Sequence, residues 1–151
     1  MQIRLLIPFP ILQEMAALQT PRSELGLSLL DGFIYAIGGW EGSARLSTVE
    51  RYDMETNSWS FVEPMKLAVT SPAVVAHNGS IFVCGGAILE DGDGIDVVQR
   101  YDTSTGVWKE LAKMLIPRSG SAACFLGGYI YVIGDKFNYP FNWLKLFNYR
   151  F

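Results

Sequence analysis

Short apolar runs of five or six residues, punctuated by pairs of turn-forming residues, set the rhythm of this chain. Residues 25–30 are followed by Asp31-Gly32, and then a second run, 33–37, ends on Gly38-Gly39. Two apolar runs joined by two residues able to take positive φ form the pattern of a β-hairpin closed by a type I′ turn. The pattern returns with Asn78-Gly79 and again with Gly127-Gly128. A third short run follows each double glycine, at 49–52 and 97–101. An Asp-x-x-Thr turn and a tryptophan-bearing fourth run come next. Asp53 and Asp102 suit that turn because a carboxylate can accept hydrogen bonds from the backbone just ahead of it.

The recurrence is numerical. Val49, Arg51, Tyr52, Asp53, Thr56, Trp59 and Met65 reappear 49 positions later as Val98, Arg100, Tyr101, Asp102, Thr105, Trp108 and Met114. Gly38-Gly39 reappears 47 positions later as Gly85-Gly86, so two residues are inserted between the double glycine and the tyrosine, in what must be a loop. At an offset of 96, Glu14, Pro21, Arg22 and Ser23 match Glu110, Pro117, Arg118 and Ser119. Four antiparallel strands per roughly 50 residues, with glycine and aromatic marks at fixed phase, predict an all-β chain of propeller blades. The divisions follow from the period: a non-repeat head at 1–13, the end of a preceding blade and its linker at 14–24, complete repeats at 25–68 and 69–117, a partial repeat at 118–135, and an aromatic tail at 136–151. Each of the spans 25–65 and 72–114 is predicted to form one four-stranded sheet, the two packed face to face.

Composition narrows the function. Twelve basic and fifteen acidic residues are scattered without a basic stripe, which argues against nucleic acid as a partner. The apolar stretch at 5–12 is broken by Pro8 and Pro10 and is far shorter than the ~20 residues that span a bilayer. Two cysteines, Cys84 and Cys124, fit neither a disulfide framework nor a metal site with the single histidine, His77, and suit a reducing, cytoplasmic setting. His77 has no nucleophile or orienting acid in its phase, so the expectation is a packed or rim histidine and no enzyme. Neither a cofactor nor a metal is expected.

The stretches Asp-Gly-Phe-Ile-Tyr-Ala-Ile-Gly-Gly at 31–39 and Ser-Thr-Val-Glu-Arg-Tyr-Asp at 47–53 resemble the kelch repeat. Asn57-Ser58-Trp59 and Pro64-Met65 resemble the BTB-kelch, or kelch-like, subfamily in particular. That likeness implies a propeller that captures a protein for a cullin-RING ubiquitin ligase, the ligase being engaged through a BTB domain that is not among these 151 residues. The alternatives are an actin-binding, cytoskeletal kelch protein and a truncated product without independent function. The ends leave two accounts standing: translation of sequence outside the repeat exons, or a diverged strand formed by the alternating aromatics at 137, 139, 141 and 143. Fewer than three complete blades cannot close a ring, so the chain alone is expected to self-associate through its open end faces.

The resemblance also implies where a partner docks: on the loops between second and third strands, 40–48 and 87–96, and on the linkers between blades. Trp40, Arg45 and Thr48 are candidates in the first loop. Arg22 and Arg118 stand at the linker position where such proteins use arginine to grip acidic groups, while the second repeat has Val69 there. In the second loop Glu90, Asp91 and Asp93 are candidates for choosing a basic partner; the loop lacks the spaced bidentate glutamate of an EF-hand calcium loop. Trp59, Trp108, Tyr52 and Tyr101 are expected to pack between blades.

Overall fold

The computed structural model describes residues 14–89 and 93–134, together with the backbone of 148–150. It is all-β. The first sheet joins β1 (Gly26–Leu30), β2 (Phe33–Ile37), β3 (Val49–Asp53) and β4 (Ser58–Val62) in chain order. The second repeats the arrangement with β5 (Ala73–His77), β6 (Ser80–Cys84), β7 (Val98–Asp102) and β8 (Val107–Glu110). A third contains β9 (Ala122–Leu126), β10 (Tyr129–Ile133) and β11 (Asn148–Arg150). All neighbours are antiparallel, as a meander of hairpins requires.

The hairpin turns take the conformation expected of their sequences. Asp31-Gly32 has φ of 52° and 82°, Asn78-Gly79 of 44° and 65°, and Gly127-Gly128 of 59° and 85°. Positive φ at both central residues matches the right-handed twist of the flanking strands. In the Asp-x-x-Thr turns, Asp53 Oδ1 accepts the Glu55 N–H at 2.8 Å, and Asp102 Oδ1 accepts the Ser104 N–H at 3.1 Å and its hydroxyl at 2.6 Å. The Ser104 hydroxyl leads the interactions that hold the Asp102 carboxyl below its ordinary pKa.

The blades stack so that the second sheet buries one face on the first blade and the other on the third. From the first blade Tyr35, Ile37 and Val49 pack against Ile81, Val83, Tyr101 and Trp108 of the second. The opposite face of the second blade offers Phe82, Cys84 and Val98 to Ile130 and Val132 of the third. Strand β6 is therefore buried along its whole length, residue by residue, because both of its faces are core. Each such aliphatic side chain contributes on the order of 1.5–3 kcal/mol through burial. Of the four aromatics expected between blades, Tyr101 and Trp108 are there: their rings lie 5.0 Å apart, and the Trp108 indole N–H donates to the Glu63 carbonyl in the linker. Tyr52 and Trp59 belong to neither inter-blade cluster and lie on the other face of the first blade, where the Trp59 indole N–H donates to the Ala16 carbonyl. His77 lies flat on Phe125 of the third blade, 3.4 Å between ring centres, and is a packed histidine.

The outermost faces are apolar and open. Leu27 and Leu29 on β1 are 60% and 67% exposed, and Leu126 on β9 is 68% exposed. At the carboxyl end Ile130 pairs with Tyr149 as Ile34 pairs with Tyr52, so β11 takes the place of β3 in the third blade. The aromatics at 137, 139, 141 and 143 lie outside the described residues, as does the head at 1–13.

The two thiols occupy opposite environments. Cys84 is buried between blades, and burial pushes its thiol up to about 12, whereas Cys124 is exposed on the open face of the third blade. Iodoacetamide at pH 8 should alkylate Cys124 within minutes and leave Cys84 unmodified until denaturant is added. Peptide mass spectrometry reads the sites, and native labelling of Cys84 would contradict the inter-blade packing.

Candidate functional site

The loop rim rises from the double glycines. After Gly39 the chain adds one rung above the sheet, in which Ser23 pairs with Trp40 and Trp40 with Arg45; the second blade repeats it with Thr70, Ala87 and Gly94. Trp40 and Ser23 exchange N–H···O bonds of 2.8 and 2.9 Å, and Ala87 and Thr70 do the same at 2.9 and 3.0 Å. The shared hydrogen bonds are what the blades need. Side chains that differ at equivalent positions are free to carry something else.

Trp40 and Arg45 are both half-buried, and the Arg45 guanidinium lies over the indole at 5.5 Å from the ring centre. The second blade has Ala87 and Gly94 in their places. At Gly94 a Cβ would fall 2.4–2.7 Å from the backbone of Arg118, so the second rim is flat at the point where the first carries its stack. Asp93 is exposed beside it, and Glu90 and Asp91 lie outside the described residues.

Arg22, Thr48 and Arg118 require correction. The Arg22 side chain has no exposed surface: Nη1 donates to the carbonyls of Gly38 (2.9 Å) and Thr48 (3.0 Å), and Nη2 to Thr48 Oγ1 (3.1 Å) and Glu50 Oε1 (2.6 Å). Arg118 is 5% exposed and its Nη1 donates to the carbonyl of Gly134, the counterpart of Gly38. These arginines clasp their own blades and present no fork to a partner. The period located them in the linker, but only the path of that linker across the sheet decides that their side chains turn inward.

Around Arg22 the repeats differ in concert. Arg22, Thr48 and Glu50 in the first blade correspond to Val69, Val97 and Gln99 in the second. Glu50 also accepts the N–H groups of Gln19 (2.7 Å) and Thr20 (3.1 Å), and Gln99 Oε1 accepts those of Lys66 (3.0 Å) and Leu67 (3.2 Å). A charged residue and a neutral one thus perform one structural task. The charged version brings an arginine because a buried carboxylate needs a counter-charge.

A second set of rim residues escaped sequence reasoning. Glu24, Ser71 and Gly120 are equivalent linker positions with φ of 53°, 50° and 66°. The Ser71 N–H donates to the Glu24 carbonyl (2.7 Å) and the Gly120 N–H to the Ser71 carbonyl (2.9 Å), a backbone belt joining successive blades. The Ser71 hydroxyl meets the Glu24 carboxylate at 3.0 Å. The glycine in phase with a serine and a glutamate was the available signal, since left-handed backbone is uncommon for other residues.

Comparison with known proteins agrees with this geometry. The family model described as "Kelch motif" matches residues 21–66 and 68–115. Human Kelch-like protein 35 is 39% identical over 74 residues, 49% of this chain and 13% of that protein. Human Kelch-like protein 6 is 40% identical over 58 residues, 38% of the chain and 9% of the relative. The mouse influenza virus NS1A-binding protein homolog is 36% identical over 73 residues, covering 48% and 11%. The matched segment therefore spans only about a tenth of the length of these curated relatives.

The concerted substitution makes a sharp stability test. Arg22→Val alone strands Glu50 in the core and should cost about 3–5 kcal/mol. In the triple variant Arg22→Val, Thr48→Val, Glu50→Gln, which copies the second blade, most of that loss should be recovered. Urea unfolding measures both, and a triple variant no more stable than the single one would refute the equivalence of the two junctions.

Proposed function

Because the chain belongs to the kelch family, whose repeats bind protein partners, we propose that it is the recognition propeller, or a segment of one, of a kelch-like adaptor for a cullin-RING ubiquitin ligase. The protein to be modified docks on the rim formed by the loops 40–48 and 87–96 and the linkers between blades. One observation carries the reading: the first rim holds Trp40 with the Arg45 guanidinium over its ring, where the second blade stands without either side chain. Aromatic and arginine side chains supply a disproportionate share of binding energy at protein interfaces. A relative whose name records binding of influenza virus NS1A supports protein capture as the class of function. The kelch repeat is generally a non-enzymatic interaction module, and the reading has no catalytic step. A cytoplasmic location belongs to the same proposal.

The adaptor reading and the actin-binding alternative part experimentally. For an adaptor, proteins retained by the epitope-tagged full-length gene product should accumulate when cullin neddylation is inhibited; a cytoskeletal protein would instead co-sediment with filamentous actin. Trp40→Ala should weaken partner retention at least tenfold, with the melting temperature within about 2 °C of the parent. Arg118→Ala should lower the melting temperature by several degrees, because it removes a buried donor to Gly134. Retention unchanged by Trp40→Ala would remove the rim assignment.

A further inference from the structure

The innermost strands of the three blades repeat one contact. Alternate residues of β5 divide between two neighbours: Val74 and Ala76 turn to the first blade, and Ala73, Val75 and His77 to the third. Toward the first blade Gly26 makes room, since a Cβ there would lie 2.2 Å from Val74 Cγ2, and Leu30 and Ala76 join the same cluster. Toward the third, His77 lies flat on Phe125, and Ala73 and Ala123 share the second cluster. Two rows remain outward. Leu27 and Leu29 of β1 are in phase with Val74 and Ala76, while Ala122, Cys124 and Leu126 of β9 are in phase with Ala73, Val75 and His77. All five are exposed. Each outward row is thus the counterpart of a row buried inside the molecule, and the two are complements of each other.

Gly134 points the same way. A Cβ on its counterparts Gly38 and Gly85 would lie 2.7 and 2.3 Å from the carbonyl oxygens of Val69 and Arg118, each in the linker of the following blade. Among the described residues, the nearest atom to a Cβ at Gly134 is Ser121 Cα of its own blade, at 3.5 Å. The linker residue in phase with Val69 and Arg118 is Arg22, at the head of the first blade.

We infer that two copies of this chain join head to tail into one closed ring. The third blade of each packs on the first blade of the other, Ala122, Cys124 and Leu126 against Leu27 and Leu29, with the Arg22 carbonyl of one copy over Gly134 of the other. Contact between two different faces is heterologous, and it ends in a ring only where the rotation closes. With three sheets in each copy, two copies reach the blade number of closed propellers, which is roughly four to eight. The pairing of His77 with Phe125 fixes the register, so that Leu126 of one copy stands opposite Leu29 of the other.

Size-exclusion chromatography with light scattering on the full 151-residue chain tests this, and twice the mass of one chain is expected. Leu29→Glu and Leu126→Arg should each give monomers, because either places a lone charge in both junctions of the ring. An equal mixture of the two variants should recover the doubled mass, since one junction then holds opposite charges and the other keeps both leucines. Copies joined through like faces would gain nothing from mixing. Cys124 supplies a reading that needs no variant: its rapid alkylation belongs to the dilute, separated chain and should slow at least tenfold from nanomolar to high micromolar protein. Circular dichroism checks that each variant retains the β spectrum, and should one lose it, the protection of Cys124 in the parent carries the test. A parent that stays monomeric at high micromolar concentration, an assembly larger than two, a folded variant that keeps the doubled mass, a mixture that stays monomeric, or a Cys124 equally reactive at all concentrations overturns the inference.

Discussion

The close approach of a double glycine to two linkers locks the first blade to the second and the second to the third. A Cβ at Gly39 would sit 2.5 Å from the carbonyl oxygen of Ser23, in the linker of its own blade, and one at Gly38 would sit 2.7 Å from that of Val69, in the linker of the next. Gly85 and Gly86 are clamped in the same way, by the carbonyls of Arg118 and Thr70 at 2.3 and 2.8 Å. The gap admits only hydrogen on Cα. Through it Gly39 donates its N–H to Val69 at 2.9 Å and Gly86 to Arg118 at 2.8 Å. Any side chain would force the linker off the sheet and open the inter-blade core to water.

Once backbone is locked to backbone there, the side chains around the lock can vary provided that they vary together. The junctions built on Arg22, Thr48 and Glu50 and on Val69, Val97 and Gln99 accept the same two linker N–H groups through different chemistry. A carboxylate buried without its arginine would be far costlier than an amide. The three positions therefore behave as one unit. The loop above the lock is under no such coupling. It gains two residues between the first blade and the second and exchanges a tryptophan and an arginine for an alanine and a glycine.

The same division explains how function sits on a repeat. Partner recognition needs side chains that the architecture does not consume, and such positions are found by asking which differences between blades leave the hydrogen-bond ladder untouched. Trp40 and Arg45 meet that condition. Arg22 and Arg118 do not, although by residue type and position they resemble a partner-gripping pair.

Much of the fold was legible in the order of residues because local rules dictate it. Asp31-Gly32 and Asn78-Gly79 permit a turn of one hand, alternating apolar residues fix which face of each strand is buried, and the offsets of 47 and 49 place those elements in one phase. The identity of the buried aromatic partners followed from the same phase. What the sequence could not disclose was direction. Whether Arg22 points into the sheet or out toward a partner depends on how the linker crosses a sheet made of residues 16 to 28 positions away, including Gly38, Thr48 and Glu50. The sequence alone determined the blades, their order and their turns, since these arise from interactions between near neighbours and from periodicity. Only the tertiary structure decided which polar groups are satisfied, because satisfaction is a property of atoms that meet across the fold.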